Sequence, residues 1–115
     1  MSDFEYKKIE NGISIIKYTG EETVINIPDK IDGLPVISIG SKAFAENHHI
    51  TSVTIPDSVA NIKKNALDCL HMKKIIFIGR KSLDEIELDD EWKGISNPKI
   101  VFKPKKTGFF GLFKS

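Results

Sequence analysis

The sequence is poor in cysteine, in long apolar runs and in net charge. Cys69 is the single cysteine, and residues 1–12 are polar rather than typical of a signal peptide, so we expect a reducing, cytoplasmic setting. No apolar run reaches the roughly 18 residues that a membrane-spanning helix needs. Seventeen basic and sixteen acidic residues leave a net charge of +1, which gives no overall positive field to attract nucleic acid. We therefore expect no nucleic-acid partner.

Signatures of catalysis are missing as well. The chain contains no P-loop, GxGxxG, HExxH or GxSxG motif. Cys69 and His71 stand two residues apart with no evident carboxylate to orient the histidine, which argues against a nucleophilic pair. His48 and His49 add two imidazoles near this turn, but a structural role for Cys69 explains the pattern better than a metal site. The sequence predicts no catalytic residues, no metal and no cofactor.

An internal repeat dominates the chain, which at 115 residues has the length of one domain. Val36–Pro56 aligns with Val59–Gly79 at an offset of 23 residues, which drops to 22 after Leu67. A partial earlier copy lies at Val24–Asp29. The matched pairs are Val36 with Val59, Ile39 with Ile62, Ala43 with Ala66, Asn47 with Cys69, Val53 with Ile75 and Ile55 with Phe77. Alternation within each copy predicts short strands, and only stacked copies can bury their apolar side chains.

The chain resembles the BspA-like class of leucine-rich repeats over Tyr18–Gly79, through the pattern I-P-D-x-V-x-x-I-x-x-x-A-[F/L]. That resemblance implies a recognition surface on a right-handed solenoid. We expect an α/β repeat fold, a short leucine-rich-repeat-like solenoid of stacked short strands. Compact helical turns are predicted at Ala43-Phe44 and Ala66-Leu67.

Both ends depart from the repeat, as solenoid ends must if they are to shield the core from water. Asn11-Gly12 between two alternating runs predicts a β-hairpin over residues 4–18. We place a single domain at residues 1–103, with a hairpin cap at 1–22, repeats at 23–79 and a C-terminal cap at 80–103. Trp92 belongs to that second cap, where it either closes the core or stacks on a ligand.

The predicted strands also define a candidate partner-binding surface. Residues that alternate with the core positions would face outward in two columns, which favour a protein partner if they are not merely solvated. The first column is Val24, Ser52 and Lys74, and the second column is Asn26, Thr54 and Ile76. We expect a non-enzymatic protein-interaction module that presents this strand face, and the open edge of the last strand allows a homodimer.

The last segment, 104–115, forms a basic, phenylalanine-rich tail that contains no acidic residue. It either folds back on the solenoid, stays disordered, or inserts its rings into an anionic membrane surface. The third option gives an alternative function, a peripheral membrane adaptor. The tail residues that would bind a membrane or a partner are Lys105, Lys106, Phe109, Phe110, Leu112 and Phe113.

Overall fold

The computed structural model describes residues 4–45, 47, 49–80, 82–94 and 97–105. Short strands dominate this part of the chain, together with one 3₁₀ turn at Leu83–Glu85. The strands are β1 (Phe4–Ile9), β2 (Gly12–Tyr18), β3 (Val24–Asn26), β4 (Lys30–Ile31), β5 (Leu34–Ile39), β6 (Ser52–Ile55), β7 (Asn61–Ile62), β8 (Lys74–Ile78), β9 (Glu87–Leu88) and β10 (Lys99–Lys103).

The strands form two sheets that run side by side through the molecule. One sheet has the order β1-β2-β5-β7-β9, with β4 attached to β5, and the other has the order β3-β6-β8-β10. Successive turns of the chain add one strand to each sheet, and these added strands pair in parallel. The predicted solenoid of stacked short strands is confirmed.

Positions that match between repeats are buried together. Val53 of β6 pairs with Ile75 of β8, and Ile55 pairs with Phe77. All four side chains are fully buried, and complete burial of side chains of this size is worth about 1.5–3 kcal/mol each. The same core contains Ile13, Ile15, Val36, Ile39, Phe44, Ile50, Val59, Ile62 and Leu67, all with 0% exposure. Stacking therefore supplies the burial that no single repeat has.

The predicted helical turns are not found. Ala43 donates to Gly40 O at 3.1 Å, and Ala66 donates to Lys63 O at 3.1 Å, so each site is a hydrogen-bonded turn. The residue before each alanine has a left-handed backbone, with φ of 61° at Lys42 and 58° at Asn65. A right-handed helix cannot include such a residue, and the α component of the predicted fold is not confirmed among the described residues.

An antiparallel hairpin, β1 with β2, opens the described chain. Ile9 pairs with Gly12, so the two turn residues are Glu10 and Asn11 rather than Asn11 and Gly12. Gly12 instead allows close packing, because a Cβ there would collide with Pro35 O and lie 2.6 Å from Ile37 Cδ1 of β5. That this hairpin stabilises the end of the core as a cap stays a prediction.

Residues 80–103, which we predicted as a C-terminal cap, continue both sheets. β9 pairs in parallel with β7, and β10 pairs in parallel with β8. Trp92 is 8% exposed, and its ring meets Phe77 edge to face with 6.1 Å between centroids. It therefore belongs to the core and offers no face for stacking on a ligand. The domain boundaries themselves stay predictions.

Candidate functional site

The six predicted surface residues lie side by side on the four-stranded sheet. In the first column Val24 pairs with Ser52, which pairs with Lys74. In the second, Asn26 pairs with Thr54, which pairs with Ile76. We call the outward side of this sheet the strand face. Its residues stand in the predicted rows, and their role in binding stays a prediction.

The strand face extends one strand further than the sequence indicated. Lys99 of β10 pairs with Lys74, and Val101 pairs with Ile76. The signal was present in the alternation of Lys99-Ile100-Val101-Phe102, but these residues were assigned to a cap and not to the surface. Each column therefore contains four residues.

The side chains of the first column change from apolar at one end to positively charged at the other. Val24 at one end is 53% exposed, Ser52 is half-buried, and Lys74 and Lys99 at the other end are both exposed. Paired residues on neighbouring strands lie about 4.8 Å apart, so the column ends in two adjacent lysines. A carboxylate from a partner would relieve the repulsion between them.

A groove crosses the carboxyl ends of the four strands beside this face. It has a volume of about 640 Å³ and contains apolar residues from each strand end together with charged groups at its margins. Lys105 Nζ lies 3.2 Å from Asp57 Oδ2 within it. The lining residues are Asn26, Ile27, Pro28, Asp29, Thr54, Pro56, Asp57, Ile78, Lys103, Pro104 and Lys105. Asn26 and Thr54 belong to both the groove and the strand face.

Arg80 holds the loop beside this groove. Its guanidinium donates to Asp57 O at 2.7 Å, to Val59 O, and to Glu85 O at 2.6 Å. These carbonyls belong to two successive turns of the solenoid, so the side chain fastens one turn to the next. A guanidinium used in this way positions Asp57 rather than binding a ligand.

Cys69 and Asn47, which occupy matching repeat positions, both donate to Phe44 O. The distances are 2.9 Å from Cys69 Sγ and 3.2 Å from Asn47 Nδ2. Burial, and then the negative charge of Asp68, raises the pKa of the Cys69 thiol to about 12. The thiol is therefore protonated near neutral pH and unsuited to nucleophilic attack. The structural role predicted for Cys69 is confirmed.

Among the described residues no three histidine, cysteine or acidic side chains gather as metal ligands. His48 lies outside that part of the chain.

Most of the predicted tail site lies outside the described residues. Lys105 is described and forms the contact with Asp57, whereas the remaining positions, Lys106, Phe109, Phe110, Leu112 and Phe113, are not. No helix in the described part of the chain is long and apolar enough to cross a membrane. Nothing among the described residues supports the peripheral membrane adaptor.

Comparison with solved structures finds two similar folds. A leucine rich cell surface protein from Faecalibacterium prausnitzii A2-165 superposes on 90% of this chain with a TM-score of 0.69 and 23% identity. This chain spans 31% of that protein. The T. pallidum leucine rich repeat protein superposes on 89% of this chain, and on 83% of its own length, with a TM-score of 0.50 and 15% identity. These likenesses establish the fold.

The sequence itself matches a known family. No curated protein matches the chain. The model for the BspA type leucine rich repeat region (6 copies), in contrast, matches residues 17–89. That range includes both aligned repeats, the partial copy and β9 of the last turn. The chain belongs to the BspA type leucine rich repeat family.

Proposed function

We propose that the chain is a non-enzymatic protein-interaction module whose strand face binds a protein partner. The supporting observation is the unbroken register of β3, β6, β8 and β10, which aligns outward side chains in two columns of four. Leucine-rich repeats and other solenoids commonly bind partners on the surface formed by such stacking. The predicted cytoplasmic setting and homodimer stay predictions beside this proposal.

The composition of the strand face suits a protein surface. Ser52 and Thr54 at its centre are small and half-buried, so a partner can approach the backbone closely there. Val24 provides apolar area at one end, while Lys74 and Lys99 provide positive charge at the other. We expect the partner to bring an apolar group to the first end and acidic side chains to the second.

Affinity capture with mass spectrometry tests this function. The test variant combines Ser52→Glu, Thr54→Lys and Lys74→Glu, which alters charge in both columns. A matched control combines Lys7→Glu, Lys8→Glu and Glu10→Lys, three exposed positions on the hairpin that change the net charge equally. We expect the test variant to lose its captured partner by tenfold or more, and the control to keep it.

Thermal unfolding of both variants checks that the fold survives, since all six positions are at least partly exposed. A captured partner that stays at the same level in the folded test variant would contradict the proposed function. Loss of the partner in the hairpin control alone would move the binding surface to the other sheet.

A further inference from the structure

The groove at the strand ends has the form of a docking site for an apolar segment. Pro28, Pro56, Pro104 and Ile78 provide apolar surface from all four strand ends. Its volume of about 640 Å³ lies within the roughly 300–1,000 Å³ typical of ligand pockets. The margins contain the carboxylates of Asp29 and Asp57 together with the ammonium groups of Lys103 and Lys105.

A segment of suitable chemistry begins at the margin of this groove. Lys105 lines it, and residues 106–115, which lie outside the described part, follow directly. They contain two lysines and no acidic residue, and four of the five residues 109–113 have large apolar side chains. Transfer of such side chains from water into an apolar groove is favourable, and the lysines complement the Asp29 carboxylate at its margin, whereas Asp57 is already paired with Lys105.

The segment is long enough to cross the groove. An extended chain spans about 3.3–3.6 Å per residue, so Phe109 reaches about 14 Å from Lys105. Neighbouring strands lie about 4.8 Å apart, so the distance from β10 across β8 and β6 to β3 is about 14 Å. Phe113, four residues further along, reaches the far side with chain to spare, and Gly108 and Gly111 allow the backbone to bend.

The position of Lys105 also favours the groove. Lys105 follows β10 and Asp57 follows β6, yet their charged groups are 3.2 Å apart although β8 lies between the two strands. Both side chains are partly exposed, so this ion pair contributes little energy. It shows that the Lys105 side chain reaches back across the strand ends to the turn after β6.

We propose that the groove is an intramolecular docking site for the phenylalanine-rich tail, residues 106–115 of the same chain. The rings of Phe109, Phe110 and Phe113 fill the apolar groove. Because Asn26 and Thr54 belong to both surfaces, the docked tail covers one end of the strand face. This last consequence rests on the proposed function, whereas docking itself does not.

Disulfide trapping in the full-length chain tests docking without any partner. The test variant carries Thr54→Cys in the groove and Gly111→Cys in the tail, which keeps every apolar tail residue. The matched control carries Lys74→Cys with Gly111→Cys, because Lys74 is exposed at the opposite end of the adjacent strand. Cys69 can remain, since its buried thiol has a pKa of about 12 and reacts poorly.

Oxidised glutathione promotes the intrachain disulfide, and mass spectrometry measures its formation. We expect it to form at least tenfold faster in the test variant than in the control variant. Adding Phe109→Ser, Phe110→Ser and Phe113→Ser should remove that difference. Equal rates in the test and control variants would overturn the proposal. Disulfides formed mainly between chains would also overturn it, because the occupant would then be the tail of a second copy. If Thr54→Cys does not fold, Asn26→Cys is the second groove position.

Discussion

The two ends of the solenoid bury equivalent residues to different extents. Ile25 of β3 and Ile100 of β10 lie on one ladder with Val53 and Ile75, at its first and last positions. The two inner residues are fully buried, and Ile25 is only 3% exposed. Ile100 packs against the same core but is only half-buried.

The difference in burial between Ile25 and Ile100 follows from the structure that covers each end of the solenoid. At the first end, Phe4 of the hairpin packs its ring on Tyr18 at 5.3 Å and on Phe44 at 6.2 Å between centroids. At the last end, no such hairpin follows β10 among the described residues, although β10 and β3 are alike in pairing with a single strand of their sheet. Burial in a solenoid therefore depends on the adjacent layer, even where the residue pattern is the same.

The largest effect should come from comparing an inner phenylalanine with its partner in the last layer. Phe77 is fully buried, and Phe102, its stacked neighbour at 5.7 Å, is half-buried. We expect Phe77→Ala to lower the free energy of unfolding by about 3–5 kcal/mol, and Phe102→Ala by less than half as much. Urea unfolding of both variants measures this. Equal losses would show that the last layer is as well covered as the inner ones.

A second pair compares the two ends directly. We expect Ile25→Ala to cost about 2–4 kcal/mol because it leaves a cavity in a buried site. Ile100→Ala removes the same atoms from a half-buried site, where the cost should be about 1 kcal/mol. The two side chains are chemically identical, so each variant is the control for the other in the same urea titration. A loss at Ile100 that matched the loss at Ile25 would contradict the idea that the last end is the open one.

The repeat offset was sufficient to predict the register of β6 against β8. Because the offset is constant through each strand, residues that align in sequence also pair in space, as Ser52 does with Lys74 and Thr54 with Ile76. The left-handed backbone of Lys42 left no comparable signal, and that of Asn65 left a weak one, since asparagine adopts this conformation more readily than other residues with a side chain. The sequence therefore predicts helical turns at two places where the structure has hydrogen-bonded turns instead.

The last turn was missed for a different reason. Phe44 N donates to Ala66 O at 2.8 Å, and Leu67 N donates to Trp92 O at 3.0 Å, so Trp92 continues the series of Ala43 and Ala66. A tryptophan in place of an alanine hides the repeat from comparison of side chains. The backbone hydrogen bonds, together with the left-handed backbone of Glu91 at φ of 58°, show that the described part of residues 80–103 follows the same path.

The smallest effect should come from the hydrogen bond that ties the hairpin to the rest of the first end. Tyr6 donates its hydroxyl hydrogen to Asp32 Oδ2 at 2.6 Å, and this bond is the main cause that raises the pKa of Tyr6. We expect Tyr6→Phe to destabilise the chain at pH 7, by less than Ile100→Ala does. Because the folded-state pKa is raised above the value of about 10 in the unfolded chain, the contribution is complete below pH 10 and is lost as the pH rises through the folded-state pKa. The difference in the free energy of unfolding between the native chain and Tyr6→Phe, measured in urea from pH 7 to 11, should therefore shrink at the alkaline end.

Asp32→Asn is the matched control for this hydrogen bond, since it keeps an acceptor oxygen without the charge. A difference that stayed constant over this range would show that the hydroxyl bond does not hold the hairpin in place.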